Sequence, residues 1–152
     1  MKIALGSDHR GFAVKQRLEA LLAKAGHEVH DVGVATGDVG VDYPDYAIPV
    51  SEQVAAHTVD RGILICGTGF GMCIAANKVH GVRAVTCRDL IEAEMSRRHN
   101  DANVLCMSAD FLGTDLIDRM VTTWLATEFE AGRHLRRVEK ISQYEDAPHP
   151  AG

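Results

Sequence analysis

No apolar run in this chain is long enough to cross a membrane. None of its four cysteines, Cys66, Cys73, Cys87 and Cys106, stands in C-x-x-C spacing, which argues against a zinc site or a thioredoxin-like motif. His27, His30, His57, His80 and His149 show no metal-like pairing and read as surface or locally hydrogen-bonded residues. There is no positive excess either. The net charge of −5 argues against a nucleic-acid partner, but it leaves room for a small anion in a local basic pocket. Internal repeats, low-complexity tracts and interdomain linkers are missing. So is a signal-peptide pattern around Met1-Lys2-Ile3-Ala4-Leu5, and a cytoplasmic location without disulfides is expected.

The 152 residues suit one domain, expected over 1–146, followed by a frayed tail at 147–152. Strand-like runs at 3–6, 28–33, 62–66, 82–87 and 103–107 alternate with helical periodicity. The helices are expected over 12–22, 46–57, 70–79, 89–98, 113–127 and 134–144. Residues 34–44, rich in glycine and aspartate, read as a loop. Pro49 fits best in a helix's first turn. Such alternation specifies an α/β fold: a five-stranded parallel sheet covered on both faces. Ligands of such folds bind at the carboxyl ends of the strands.

Cys66-Gly67-Thr68-Gly69-Phe70-Gly71 stands at one of those ends. A thiol closes the apolar run Gly62-Ile63-Leu64-Ile65, and a glycine turn leads into a helix start. Glycines let backbone N–H groups approach a ligand, and a helix N-terminus favours negative charge. A base beside an anion cradle suits proton abstraction next to a carbonyl. The plainer alternative is a strand–helix turn whose cysteine only fills space. Asp8-His9-Arg10-Gly11 marks another strand end, where Ser7 or Asp8 could serve simply as a helix cap. Asp42-Tyr43-Pro44-Asp45-Tyr46 reads alone as a turn and helix start. His99-Asn100 offers a proton carrier and an amide, beside Arg97 and Arg98 as helix-dipole partners. Arg133 and Arg137, four apart near a helix start, suit a phosphate.

Together these blocks resemble the ribose-5-phosphate isomerase B family, which includes galactose-6-phosphate isomerase subunits. The carriers are 6–12, 42–44, 62–69, 75–78, 98–105 and 132–134, in order, across Lys2 to Glu139. The resemblance implies a three-layer α/β/α fold of Rossmann-like type. It implies interconversion of aldose and ketose sugar phosphates, with no metal or other cofactor. It also implies a homodimer or homotetramer whose active sites are shared between subunits.

By resemblance, Cys66 is the base moving a proton between C1 and C2, and Thr68 is the hydroxyl beside it. The backbone of Gly67, Gly69, Phe70 and Gly71 cradles the enediolate oxygen. His99 opens the furanose ring and Asn100 touches substrate. Asp8 and His9 contact sugar or phosphate, Tyr43 forms a pocket wall, and Arg133 and Arg137 bind phosphate. Another branch of the family uses a glutamate base on the following helix. Met72 stands there in this chain, so the cysteine branch is the one resembled. One departure stands out. The family usually carries a phosphate-binding arginine where this chain has Asp110, and a carboxylate repels phosphate. Arg98 or Arg10 could compensate, or Asp110 could bond sugar hydroxyls. The expected substrate is ribose 5-phosphate. A hexose 6-phosphate or tetrose 4-phosphate is the alternative, and a sugar-phosphate-binding module without catalysis is the reading from another class.

Overall fold

A computed structural model describes residues 1–148; the rest of the expected tail, with His149, lies outside the described residues. Five parallel strands form one sheet: β1 (Lys2–Ser7), β2 (Glu28–Asp31), β3 (Arg61–Cys66), β4 (Ala84–Thr86) and β5 (Val104–Ser108). Their order is β2-β1-β3-β5-β4. Six helices intervene or follow: α1 (Phe12–Lys24), α2 (Pro44–Ala55), α3 (Phe70–Ala76), α4 (Leu90–Asn100), α5 (Thr114–Ala126) and α6 (Leu135–Asp146).

The strand period of two sorts the side chains between two cores. Leu5, Ile63, Leu105 and Val85 lie in register across the sheet and pack with Leu18, Trp124 and Met120 of α1 and α5. Ala4, Gly62, Val104 and Ala84 form the alternate row, facing Val50 and Val54 of α2 and Met72 of α3. The small residues in that row let α2 come close. A Cβ on Gly62 would stand 3.0 Å from a methyl of Val50. Both faces of the central strands are therefore dry, which is why they read as continuous apolar runs.

Four local departures from the sequence expectations have identifiable causes. β2 stops at Asp31 instead of 33, because the Asp31 carboxylate accepts from Gly33 N at 2.8 Å and turns the chain. α2 begins at Pro44, so Pro44 takes the first turn and Pro49 lies inside the helix. There Pro49 cannot donate to the carbonyl four residues back. The buried face of Ala47, Val50, Ser51 and Val54 outweighs that loss. α3 ends at Ala76 rather than 79. Asn77 leaves the helix to hook β4, accepting from Ala84 N and donating to Ala84 O, each at 2.9 Å. α6 opens at Leu135, so Arg133 precedes the helix and shares no helical face with Arg137.

Candidate active site

The carboxyl edge of the sheet gathers the first group of residues. Cys66 ends β3 opposite Ser108 of β5, and its side chain is buried. Gly69 N donates to Cys66 Sγ at 3.1 Å. That contact needs a left-handed Gly69, φ 80°, where a Cβ would meet the Met107 carbonyl carbon at 3.0 Å. Only glycine fits both conditions. Phe70 N donates to Thr68 Oγ1 at 3.3 Å. α3 has only seven residues, so its dipole is small, and one donor of the turn itself, Gly69 N, meets the sulfur.

Three neighbouring loops close on this turn. Asp8 is buried, and its Oδ1 accepts from Arg10 N and Gly11 N at 3.0 Å each, so it holds the turn into α1. His9 Nδ1 accepts from Val41 N at 3.2 Å, which places the proton of the neutral ring on Nε2. Tyr43 precedes α2 and lays its ring on Gly71, where a Cβ would stand 2.6 Å from the phenol carbon. Arg10 meets Asp110 over Gly67, donating from Nη2 at 2.7 Å and Nε at 3.0 Å. Of the two candidate compensators, Arg10 is the one at this edge. The Arg98 guanidinium is engaged by Glu94 and Glu130 elsewhere. The Arg10 guanidinium is held above its ordinary range by that hydrogen bond and the charge of Asp110.

Beside the turn lies a cavity of about 490 Å³ lined by Thr68, Phe70, Arg88, Ser108, Phe111 and Leu112, among others. The Arg88 guanidinium stands 5.3 Å from the Phe70 ring centre. Asp89 caps α4 by accepting from Glu92 N at 2.8 Å. Another cavity, of about 520 Å³, lies between α1 and α5 and is lined mainly by apolar residues such as Leu21, Leu22, Val121 and Leu125. It shares no residue with the glycine turn.

His99 and Asn100 are elsewhere. They close α4, which runs back to the amino edge of the sheet. Arg83, just before β4, donates to Asn100 O at 3.1 Å, and Gly62 N at the start of β3 donates to Asn103 O at 2.9 Å. Five strand steps from Arg61 to Cys66 amount to about 16 Å. One chain therefore does not bring Cys66 and His99 together.

The amino-edge group has its own order. The rings of His99 and His134 stack at 4.1 Å, 3° from parallel. Glu130 Oε2 is 3.8 Å from Nε2 of each. Arg98 donates to Glu130 Oε1 from both Nε and Nη2, the Nε bond being 2.6 Å long. Arg133 Nε reaches His134 Nε2 at 3.3 Å, and Arg137 N donates to His134 O at 3.0 Å. Burial pushes the His134 imidazole below its ordinary range, and the charges of His99, Arg133 and Arg137 push the same way. The Arg98 hydrogen bond pulls the Glu130 carboxyl down. His99, Glu130 and His134 put three donor atoms within 4.8 Å, a trio able to hold a metal ion by spacing. Yet Arg98 already holds the carboxylate and Arg133 points a donor at His134. Three arginines around the trio favour an anion over a divalent cation.

Sequence reading missed Glu130, which no motif marks, and the core role of Arg97. Arg97 is buried under Trp124 and donates to Ala102 O at 2.6 Å and Asp101 Oδ1 at 2.8 Å. Nor did sequence reading foresee the acidity of the Cys73 thiol. Hydrogen bonding from Cys106 pulls that thiol down to about 6, with smaller help from Thr86 and Asn77 against burial. Burial drives the Cys106 thiol the other way, and pushes Cys87 up to about 11. All four cysteines are free thiols.

Comparison with known proteins adds a separate line. A family model described as Ribose/Galactose Isomerase matches residues 3–141. Ribose-5-phosphate isomerase B of Escherichia coli is 47% identical over 144 residues, covering 95% of this chain and 96% of its own length. D-erythrulose-4-phosphate isomerase 2 of Mycolicibacterium smegmatis is 41% identical, covering 97% of this chain and 99% of its own. The solved structure of ribose-5-phosphate isomerase B from Clostridium thermocellum superposes with a TM-score of 0.93 at 49% identity. It covers 95% of this chain and 97% of that one.

Proposed function

The chain belongs to the ribose/galactose isomerase family, and on that premise we propose that it interconverts an aldose phosphate and its ketose, with ribose 5-phosphate and ribulose 5-phosphate as the pair. The observation that carries this reading is the buried Cys66 sulfur at a strand end, faced by a backbone donor of the glycine turn. A base at that place, beside backbone donors able to face an oxyanion, suits proton transfer next to a carbonyl.

In this reading His99 first assists opening of the furanose. Cys66 then removes the C2 proton of the open aldose, and the backbone between Gly67 and Gly71 holds the enediolate oxygen. The O2 hydroxyl proton passes to O1 by way of solvent, and the same thiol returns the carbon-bound proton at C1. Thr68 and Asn100 contact sugar hydroxyls, Asp8 and His9 line the sugar, and Tyr43 walls the pocket. A positioned base contributes roughly 10²–10⁴-fold, and oxyanion donors about 10²–10³-fold.

The two groups of residues lie at opposite sheet edges, so a complete site takes Cys66 from one subunit and His99, Arg133 and Arg137 from another. A homodimer is the smallest assembly that supplies both, and a tetramer would repeat it. Phe70, Ile74 and Phe111 stay exposed around the glycine turn, an apolar rim suited to a second copy. No helix among the described residues is long and apolar enough to cross a membrane. A cytoplasmic place fits a phosphorylated substrate and free thiols.

Asp110 stands where the family resemblance implies a phosphate-binding arginine. Arg10 neutralises the carboxylate, so the pair carries no net charge toward the phosphate. Because a relative at 41% identity is named for a tetrose phosphate, the second reading is isomerisation of a shorter sugar phosphate. A panel of tetrose, pentose and hexose phosphates with their free sugars, assayed for turnover and for solvent deuterium at the enediolate carbons, tests both. Pentose phosphate turnover with deuterium uptake is expected. Binding without exchange would establish a module without catalysis.

A further inference from the structure

We propose that Glu130 is a positioning residue that holds His99 as the proton donor for ring opening; the inference rests on the isomerase reading above. Glu130 belongs to the segment between α5 and α6, and Glu130 N donates to Arg98 O at 3.0 Å, which ties the segment to the end of α4. Its two carboxylate oxygens face different ways. Oε1 is taken by Arg98, which is braced in turn by Glu94 at 2.9 Å. That grip fixes the carboxylate plane and leaves Oε2 at 3.8 Å from both imidazole Nε2 atoms.

The two stacked rings cannot both carry charge cheaply at 4.1 Å. Geometry divides the roles. His134 is buried, and Arg133 aims a donor at its Nε2, so that nitrogen accepts and the ring stays neutral. His99 is the more exposed ring of the pair, and Glu130 Oε2 stands 3.8 Å from its Nε2. The charged groups around His99 are Glu130 on its segment, Arg98 and Glu94 on α4, Arg133 before α6, and Arg137 on α6. Glu130 is the acidic member of the set that faces both rings. His134 acts as a flat, uncharged backing that fixes the His99 ring.

His99 gives a proton to the ring oxygen as the bond from that oxygen to C1 breaks. The anomeric hydroxyl loses its proton to solvent and becomes the carbonyl, and solvent returns a proton to His99. Glu130 acts through Arg98 and the two imidazoles, so its removal should slow ring opening and leave enolisation in place.

Ribulose 5-phosphate separates the two steps, because its phosphorylated C5 oxygen prevents furanose closure. Exchange of its C1 proton with solvent deuterium needs Cys66 chemistry and no ring opening. Glu130→Gln keeps an acceptor for Arg98 and removes the charge. In this variant kcat for ribose 5-phosphate should fall about tenfold, a fraction of what a general acid contributes. Exchange into ribulose 5-phosphate should fall less than about threefold. Equal loss in both assays, or no loss in either, would overturn the proposal. Should Glu130→Gln fail to fold, Arg98→Met releases the carboxylate and must show the same selective loss. A wild-type protein inactive in both assays would overturn the isomerase reading itself, whereas an active wild type with unselective variants overturns only the role of Glu130.

Discussion

Replacing Gly69 with alanine tests the turn that serves Cys66, and Gly81→Ala supplies its internal control. Both glycines are left-handed, at φ 80° and φ 82°. An L-residue there costs about 1–2 kcal/mol in either variant. The surroundings differ. A Cβ at Gly81 meets nothing within 4 Å, whereas at Gly69 it meets the Met107 carbonyl carbon at 3.0 Å and its oxygen at 3.2 Å. Those atoms belong to β5 inside the sheet and cannot step aside. Overpacking of that kind adds about 1–3 kcal/mol. Gly81→Ala should thus lower Tm by roughly 2–8 °C and Gly69→Ala by roughly 4–20 °C, always by more than Gly81→Ala, for a chain of this size. Gly69→Ala also moves the N–H that stands 3.1 Å from the Cys66 sulfur. A misplaced donor of this type costs about 10²-fold in kcat, while Gly81→Ala keeps its rate. Differential scanning calorimetry and steady-state kinetics on the two variants read both quantities. Equal Tm losses, or a Gly69→Ala enzyme within about twofold of wild type, would refute the role given to the turn.

Two further predictions concern the thiols and the Asp110 pair. Cys66→Ala should abolish turnover and Cys73→Ala should largely spare it, although Cys73 is the more conspicuous acid; equal activity in the two would sink the assignment. Iodoacetamide labelling followed by mass spectrometry should show Cys73 gaining reactivity as pH rises through about 6. The lowered Cys73 value also means that the folded state binds fewer protons than the unfolded state between about 6 and the ordinary thiol range. That contribution to stability is present above the range and is lost as pH falls through about 6. Denaturant titrations of wild type and Cys73→Ala across that window check the sign. Arg10→Ala leaves the Asp110 carboxylate unpaired and should raise KM for a sugar phosphate about fivefold, near 1 kcal/mol. Arg10→Ala with Asp110→Asn should restore it, and a double-mutant cycle without coupling would rule out charge compensation by the pair.

The strands and helices were legible because apolar runs and helical periodicity alternate without interruption, as at Gly62–Cys66 and Phe12–Leu22. Their ends moved where one side chain chose a partner distant in space, as Asn77 did with Ala84. Strand order was not legible, since alternation says nothing about β5 inserting between β3 and β4. At the site, Cys66 and its turn could be found because glycine spacing reports backbone geometry. The Arg10–Asp110 pair joins residues 100 apart in sequence, and no local pattern encodes it. Glu130 was invisible for the same reason. Its meaning lies in two histidines contributed by α4 and by the turn before α6.

Turnover in this enzyme should require Cys66 of one subunit together with His99 of another. Mixing Cys66→Ala with His99→Ala, two variants each inactive alone, puts that to the test. Subunit exchange builds heterodimers in which one site holds both wild-type residues and the other neither. Recovery toward about a quarter of wild-type turnover is expected from random pairing of two subunit types. Heterodimers seen by native mass spectrometry without any recovered turnover would contradict the shared site.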